Sequence, residues 1–213
     1  MTLSREQVHE IKIASAAKGL LPAIRERWSP RSFTEREVSA AELKALFEAA
    51  RWAPSSGNGQ PWRFVVGVKG TETHAKIVET LAGFNKDWAP KASLLILGVA
   101  YTLGGRPNTT NAYALYDLGA ATAILTVEAA ALGLATHQMG GFDHEAARAA
   151  LGIPAEYALG SVMAVGYSGE PAALPNETLL AREIEPRSRK PLSEIVFSAW
   201  GEPAKLGGDD SGL

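Results

Sequence analysis

Four short segments of this 213-residue chain gather side chains that could meet a ligand. The first is Arg27-Trp28-Ser29-Pro30-Arg31. Two guanidinium groups four residues apart, with a hydroxyl between them, suit a phosphate monoester, because each Arg offers paired charge-assisted donors and Ser adds one more. The same residues also read as a solvated basic turn beside Glu26 and Glu35. The second is Pro54-Ser55-Ser56-Gly57-Asn58-Gly59-Gln60-Pro61-Trp62. Its hydroxyl and amide groups form an uncharged surface that would match the carbonyl and imide edges of a flat heterocycle, or simply a polar connector. It is not a phosphate-cradling P-loop, since the Gly-Lys-Ser/Thr ending is missing. The third, Thr136-His137-Gln138-Met139-Gly140-Gly141-Phe142-Asp143, leads into a helix N-terminus. There Gly140 and Gly141 can bring backbone N–H groups against a ligand, or make an ordinary tight turn. The fourth, Arg187-Ser188-Arg189-Lys190, gains chemical meaning only if it closes over the same phosphate as Arg27 and Ser29.

The elements that must position these segments follow from periodicity and punctuation. Helices are predicted over 4–18, 39–52 (capping box Ser39/Glu42, ended by Pro54), 73–83 and 112–134, with a further helix capped by Asp143 and running to Leu151. Strands are predicted over 63–68, 93–100, 135–139 and 159–167, that at 93–100 being buried on both faces by its unbroken apolar run. The stretch 25–33, the loop 101–111 and the Pro-punctuated chain beyond Pro171 read as irregular. Only Asp117 and Glu128 carry charge within 112–134, so this helix, about 34 Å long, should be buried on most faces. A single domain of this size can hardly cover it on every side, which implies a partner subunit. Strands and helices interleave in one domain spanning 1–200, followed by a flexible tail over 201–213, giving an α+β or α/β class.

Composition narrows the chemistry. The chain has no Cys, which removes disulfides, thiolate metal sites, a cysteine nucleophile and iron–sulfur clusters, and no metal site is expected. It fits a reducing, cytoplasmic setting. A formal net charge of −2 supplies no global field toward nucleic acid or anionic lipid. The first ten residues lack an apolar signal core, and no uninterrupted apolar run approaches a membrane span, so neither a secreted nor a membrane protein is expected. Alanine is abundant and there are 21 glycines, a composition suited to close backbone approach.

Arg27-x-Ser29-x-Arg31, the helix 39–52 and the loop Ala53-Pro54-Ser55-Ser56-Gly57-Asn58-Gly59-Gln60-Pro61-Trp62 together resemble the N-terminal signature of the FMN-dependent nitroreductase family. Asp117-Leu118-Gly119 in the long apolar helix, Gly133, the Gly140-Gly141 turn and Arg187-Ser188-Arg189 recur in the same order, so the resemblance spans about residues 20–198. It departs at Trp28, where many members carry a second basic residue, and at Gly140, where some carry an acidic one. The resemblance implies a three-layer α/β/α sandwich with an antiparallel-rich sheet, an obligate homodimer formed through long helices, and two FMN sites lined by both subunits. Carried over, Arg27, Ser29, Arg187 and Arg189 would hold the FMN phosphate. Arg31 would face the N1/O2 edge, Ser55, Ser56 and Asn58 would come from the partner, and the Gly140 and Gly141 amides would face N5 and O4. Trp28, Pro54, Gln60, Gln138 and Met139 complete the implied contacts, with Asn85 and Lys86 near the ring.

The implied activity is hydride transfer from NAD(P)H through flavin N5 to electron-poor acceptors such as nitroaromatics or quinones, in a ping-pong cycle without a catalytic side chain. His137, alone of the four His in a ligand-facing segment, is read as structural. The alternatives are specialised relatives (dehalogenation, flavin cleavage, oxidation of peptide heterocycles) and a non-enzymatic FMN carrier.

Overall fold

The structure is a computed structural model that describes residues 3–14, 19–105 and 109–206. Strand β2 (Leu94–Tyr101) lies between β1 (Trp62–Val68) and β4 (Tyr157–Gly166), and β3 (Ala135–Met139) closes the far edge of β4. All pairs are antiparallel, in the order β1-β2-β4-β3. Period-two alternation sends Leu95, Leu97 and Val99 to one face and Leu94, Ile96 and Ala100 to the other, and both faces are covered by helices. The unbroken apolar run of β2 therefore reflects two buried faces, as expected. This is the anticipated α/β/α sandwich of the α+β class.

One face carries α4 (Glu72–Thr80), α5 (Asn85–Trp88), α7 (His144–Leu151) and α8 (Glu177–Ile184), through Ile77, Trp88, Ala147 and Leu179. The other carries α3 (Ala40–Arg51) and α6 (Ala114–Ala131), through Leu46, Ala50, Leu118, Ala121, Leu125 and Ala129. The Ser39/Glu42 capping box forms in both directions, with Glu42 N–H to Ser39 Oγ at 3.2 Å and Ser39 N–H to Glu42 Oε2 at 2.8 Å. Asp143 caps α7 as expected. Leu118 docks α6 onto a β-bulge between Leu97 and Val99, packing closely over Gly160, where a Cβ would stand 2.7 Å from Leu118 Cδ2.

Several expectations need correction. The helix predicted over 4–18 is α1 (Arg5–Lys12), and residues 15–18 lie outside the described ones. The helix predicted over 73–83 stops at Thr80, and Gly83 then adopts φ +55°. Helix α6 has 18 residues, about 27 Å, because Asn111 turns the chain before it and Gly133 (φ +75°) turns it after. Its inner face is buried, and Tyr113 at its N-cap and Leu115, Tyr116, Gly119 and Ala123 within it are exposed in the single chain. By length and composition α6 is also apolar enough to cross a membrane, which a count of uninterrupted apolar residues does not register; here its inner face packs on the sheet. Three short helices escaped the sequence reading: α2 (Pro22–Glu26), opened by Pro, together with α5 and α8. Beyond them, β5 (Phe197–Ala199) and β6 (Glu202–Pro203) form a hairpin around Gly201.

Candidate functional site

Residues 27–32 leave α2 as an extended loop that three distant parts of the chain hold in place. From the C-terminal side, the Arg187 guanidinium donates to the carbonyl of Arg27 (2.5 Å) and to that of Arg25 (2.7 Å). From α8, buried Glu183 accepts from Arg31 N–H (3.0 and 2.9 Å) and Ser32 N–H (3.1 Å). From β3, His137 Nδ1 donates to the carbonyl of Pro30 at 3.0 Å, while its ring lies 4.5 Å from that of Trp88. Burial, reinforced by Arg31, pushes His137 down to about 4, so the ring is neutral near pH 7. His137 thus ties β3 to the loop, in keeping with its structural reading.

The loop displays a cationic cluster. Burial, with the charge of Arg189, lowers the Arg27 guanidinium from its ordinary value, and burial with the charges of Arg27 and Arg189 does the same for Arg187. Three like charges therefore crowd together. Arg27 also donates to Ser29 Oγ at 3.4 Å, which places the hydroxyl in the group. Among the described residues, Nε of Arg25, Arg27 and Arg187 is buried without a partner. Buried donors normally find acceptors, so a cluster of unpaired guanidinium N–H groups fits an oxyanion with several oxygens. Arg31 points differently: its Nη1 stands 3.8 Å from Glu183 Oε2. Trp28 lies over the Lys12 ammonium, 5.1 Å from ring centroid to Nζ.

A cavity of about 640 Å³ opens beside this cluster, lined by Arg27, Trp28 and Pro30 on one side and by Thr126, Ala130 and Leu134 on the other. The arginine cluster therefore sits at the C-terminal end of α6.

The uncharged loop is at the opposite end. Buried Asp117, in the first turn of α6, accepts Ser56 N–H at 3.1 Å. Gly57, Asn58 and Gln60 all have positive φ (56°, 55° and 44°), so the backbone is wound tightly around Ser55 Oγ, which accepts Gln60 N–H at 3.0 Å. Gln60 Nε2 donates to Asn58 Oδ1 at 3.1 Å. Asp117 and Ala130 are about 20 Å apart along the helix. Within one chain, the Ser55–Gln60 loop and the Arg27 cluster do not come together.

The remaining predicted residues lie at the end of β3. Gln138 Oε1 accepts from Ser161 Oγ at 3.1 Å, while the Met139 side chain is buried in the core, leaving only its backbone for a ligand. Gly140 and Gly141 are exposed, and the Gly141 carbonyl accepts from Ala82 N–H (2.9 Å) and Asn85 Nδ2 (3.0 Å). Asn85 is thus brought to the glycine turn, and a Cβ on Gly141 would stand 2.9 Å from its Nδ2. Lys86 is exposed. The reading of the sequence missed Glu183 and Lys12. Asn176 followed by Leu179, Leu180 and Ile184 at helical spacing could have revealed α8, but nothing local marks Glu183 as buried.

The profile of the Nitroreductase family matches residues 24–167. The chain belongs to the nitroreductase family. An Archaeoglobus fulgidus protein named for NADH dehydrogenase/NAD(P)H nitroreductase activity is 30% identical over 153 residues, covering 69% of this chain and 84% of that protein. Among solved structures, an oxidoreductase described as containing FMN superposes with TM-score 0.80 at 31% identity, covering 91% of this chain and 96% of the other. A Desulfovibrio desulfuricans nitroreductase-type protein solved in complex with FMN gives TM-score 0.67 at 25% identity, covering 84% of this chain and 98% of the other. The family match includes the Arg27–Arg31 loop, the Ser55–Gln60 loop and the Gly140-Gly141 turn. Helix α1, α8, Arg187 and Arg189 lie beyond the residues that the family profile matches.

Proposed function

We propose that this nitroreductase-family enzyme binds FMN and passes hydride from NAD(P)H to electron-poor small molecules, working as a homodimer with two shared sites. The observation that carries the reading is the cluster of Arg27, Arg187 and Arg189 beside Ser29, with buried, unpartnered Nε atoms on Arg27 and Arg187. An FMN phosphate would satisfy those donors and compensate the crowded positive charge. FMN, when bound, supplies the redox chemistry by accepting hydride at N5 and releasing it to an acceptor. The chain's own residues bind and orient: the arginines and Ser29 hold the phosphate, Arg31 offers positive charge at the N1/O2 edge, and the Gly140-Gly141 backbone approaches the ring without an intervening side chain. No catalytic side chain is assigned.

Two features support the dimer. The outer side of α6 exposes Tyr113, Leu115 and Tyr116 around small Gly119 and Ala123, a surface suited to another helix. The Ser55–Gln60 loop and the arginine cluster occupy opposite ends of α6, so a second copy running antiparallel would bring the loop of one to the arginines of the other. FMN titration followed by anaerobic NADH or NADPH tests the reading. Bleaching of tightly bound FMN is expected. A chain that binds FMN but leaves it oxidised with either donor would be a carrier, and one that refuses FMN would overturn the proposal.

A further inference from the structure

Glu183 is the most buried carboxylate that the described residues contain, with its side chain 1% exposed, and it lies beyond the residues that the family profile matches. Its two oxygens accept three backbone contacts from Arg31 and Ser32, and it faces the Arg31 guanidinium at 3.8 Å. The Arg31 side chain is 22% exposed, so one edge of its guanidinium meets Glu183 while the rest remains available to a ligand. A second buried cation supports the pair from behind. Lys12 donates to the carbonyls of Glu185 and Arg182 at the C-terminal end of α8, which pins the helix that carries Glu183. Burial pushes the Glu183 carboxyl up, against the opposing pull of the two backbone N–H groups, Arg31 and Lys12.

We propose that Glu183 is the positioning residue for Arg31: its carboxylate fixes the Arg31–Ser32 backbone and partly neutralises the guanidinium, and so sets how strongly the site prefers reduced over oxidised FMN. The proposal rests on the reading of Arg31 as the cation at the N1/O2 edge, where negative charge accumulates on reduction. A merely structural Glu183 would affect folding and FMN retention but not this preference.

The test uses FMN-loaded dimer and measures the midpoint potential of the bound flavin by dye equilibration, with FMN affinity from fluorescence as a parallel readout. Glu183→Gln keeps an acceptor for the backbone and removes the charge. It should favour reduced over oxidised FMN about tenfold more than wild type, a positive shift of about 30 mV for a two-electron couple. Glu183→Asp, which keeps the charge but draws it back by one methylene, should shift the preference in the same direction by about threefold, and serves if the Gln variant fails to fold. In an Arg31→Gln background the effect of Glu183→Gln should shrink below twofold. An unchanged potential in a folded, FMN-bound Glu183 variant overturns the proposal, as does an equal shift with and without Arg31. Either result leaves the FMN reading standing. Wild-type protein that takes up no FMN overturns that reading and this proposal with it.

Discussion

The two ends of α6 carry opposite kinds of binding surface. At the C-terminal end, Arg27, Arg187 and Arg189 crowd positive charge into a half-buried cluster and leave guanidinium N–H groups unpaired. At the N-terminal end, the Ser55–Gln60 loop bears no charge and satisfies itself, with Ser55 taking Gln60 N–H and Gln60 meeting Asn58. The first is assembled from segments about 160 residues apart in sequence, as in the Arg187 bonds to Arg25 and Arg27. The second is built within six residues and anchored by one distant side chain, Asp117. Here the like charges that could meet an anionic group are held together against their own repulsion by long-range bracing. A neutral surface needs little more than local backbone geometry.

The widest separation between the two ends is predicted for Gly119→Phe. A Cβ at Gly119 meets nothing within 4 Å in the single chain, so the chain should fold, yet a helix packed on that face would be overfilled. Sedimentation should show monomers with FMN largely lost; an intact, flavin-loaded dimer would remove α6 as the interface and leave the two ends unconnected. Next is Arg187→Ala, which removes a phosphate donor and the brace on Arg25 and Arg27. Charge-assisted hydrogen bonds of about 2–3 kcal/mol correspond to roughly 30- to 150-fold weaker FMN binding, measured by fluorescence titration. Unchanged affinity would take the phosphate away from this end.

His137 probes the arginine end through pH. Its folded value, about 4, lies below the ordinary 6.5, so the unfolded chain binds the extra proton first. Its contribution is full above about pH 6.5 and is lost as pH falls toward 4, by about 3 kcal/mol at most. Urea unfolding from pH 7 to 4 should show a shallower acid loss in His137→Asn than in wild type; parallel curves would detach His137 from the loop. Asp117→Ala addresses the neutral end alone. Leaving Ser56 N–H without its acceptor should lower stability by about 1–3 kcal/mol, roughly 2–12 °C in Tm. Because Asp117 lies far from the arginines in its own chain, any loss of FMN in this variant should appear only in the dimer. Ser39→Ala is the smallest change and touches neither end. It removes the α3 cap for about 1 kcal/mol, with FMN affinity unmoved.

Much of the fold was legible along the chain. Ser39, Glu42 and Asp143 marked helix starts through contacts spanning three residues, and the apolar run of β2 announced a strand covered on both faces. The helices that escaped were short and compositionally mixed: α5 has four residues, and α2 and α8 lie in Pro-rich stretches, so neither periodicity nor propensity could accumulate. The site divides in the same way. The residue types at 27–31, 54–62 and 138–141 pointed to a phosphate and a flat polar ring, but Met139 turned inward because its place in β3 faces the core.

The amino-acid order by itself determined the donor chemistry of each loop, the scarcity of charge in α6 and the absence of thiol chemistry, all properties of single residues or near neighbours. Only the tertiary structure decided that Arg187 braces Arg27, that Glu183 lies buried beneath Arg31, and that the charged and neutral surfaces stand at opposite ends of one helix. Those relations depend on how a sheet and two layers of helices pack, and packing brings together groups whose separation along the chain carries no trace of their separation in space.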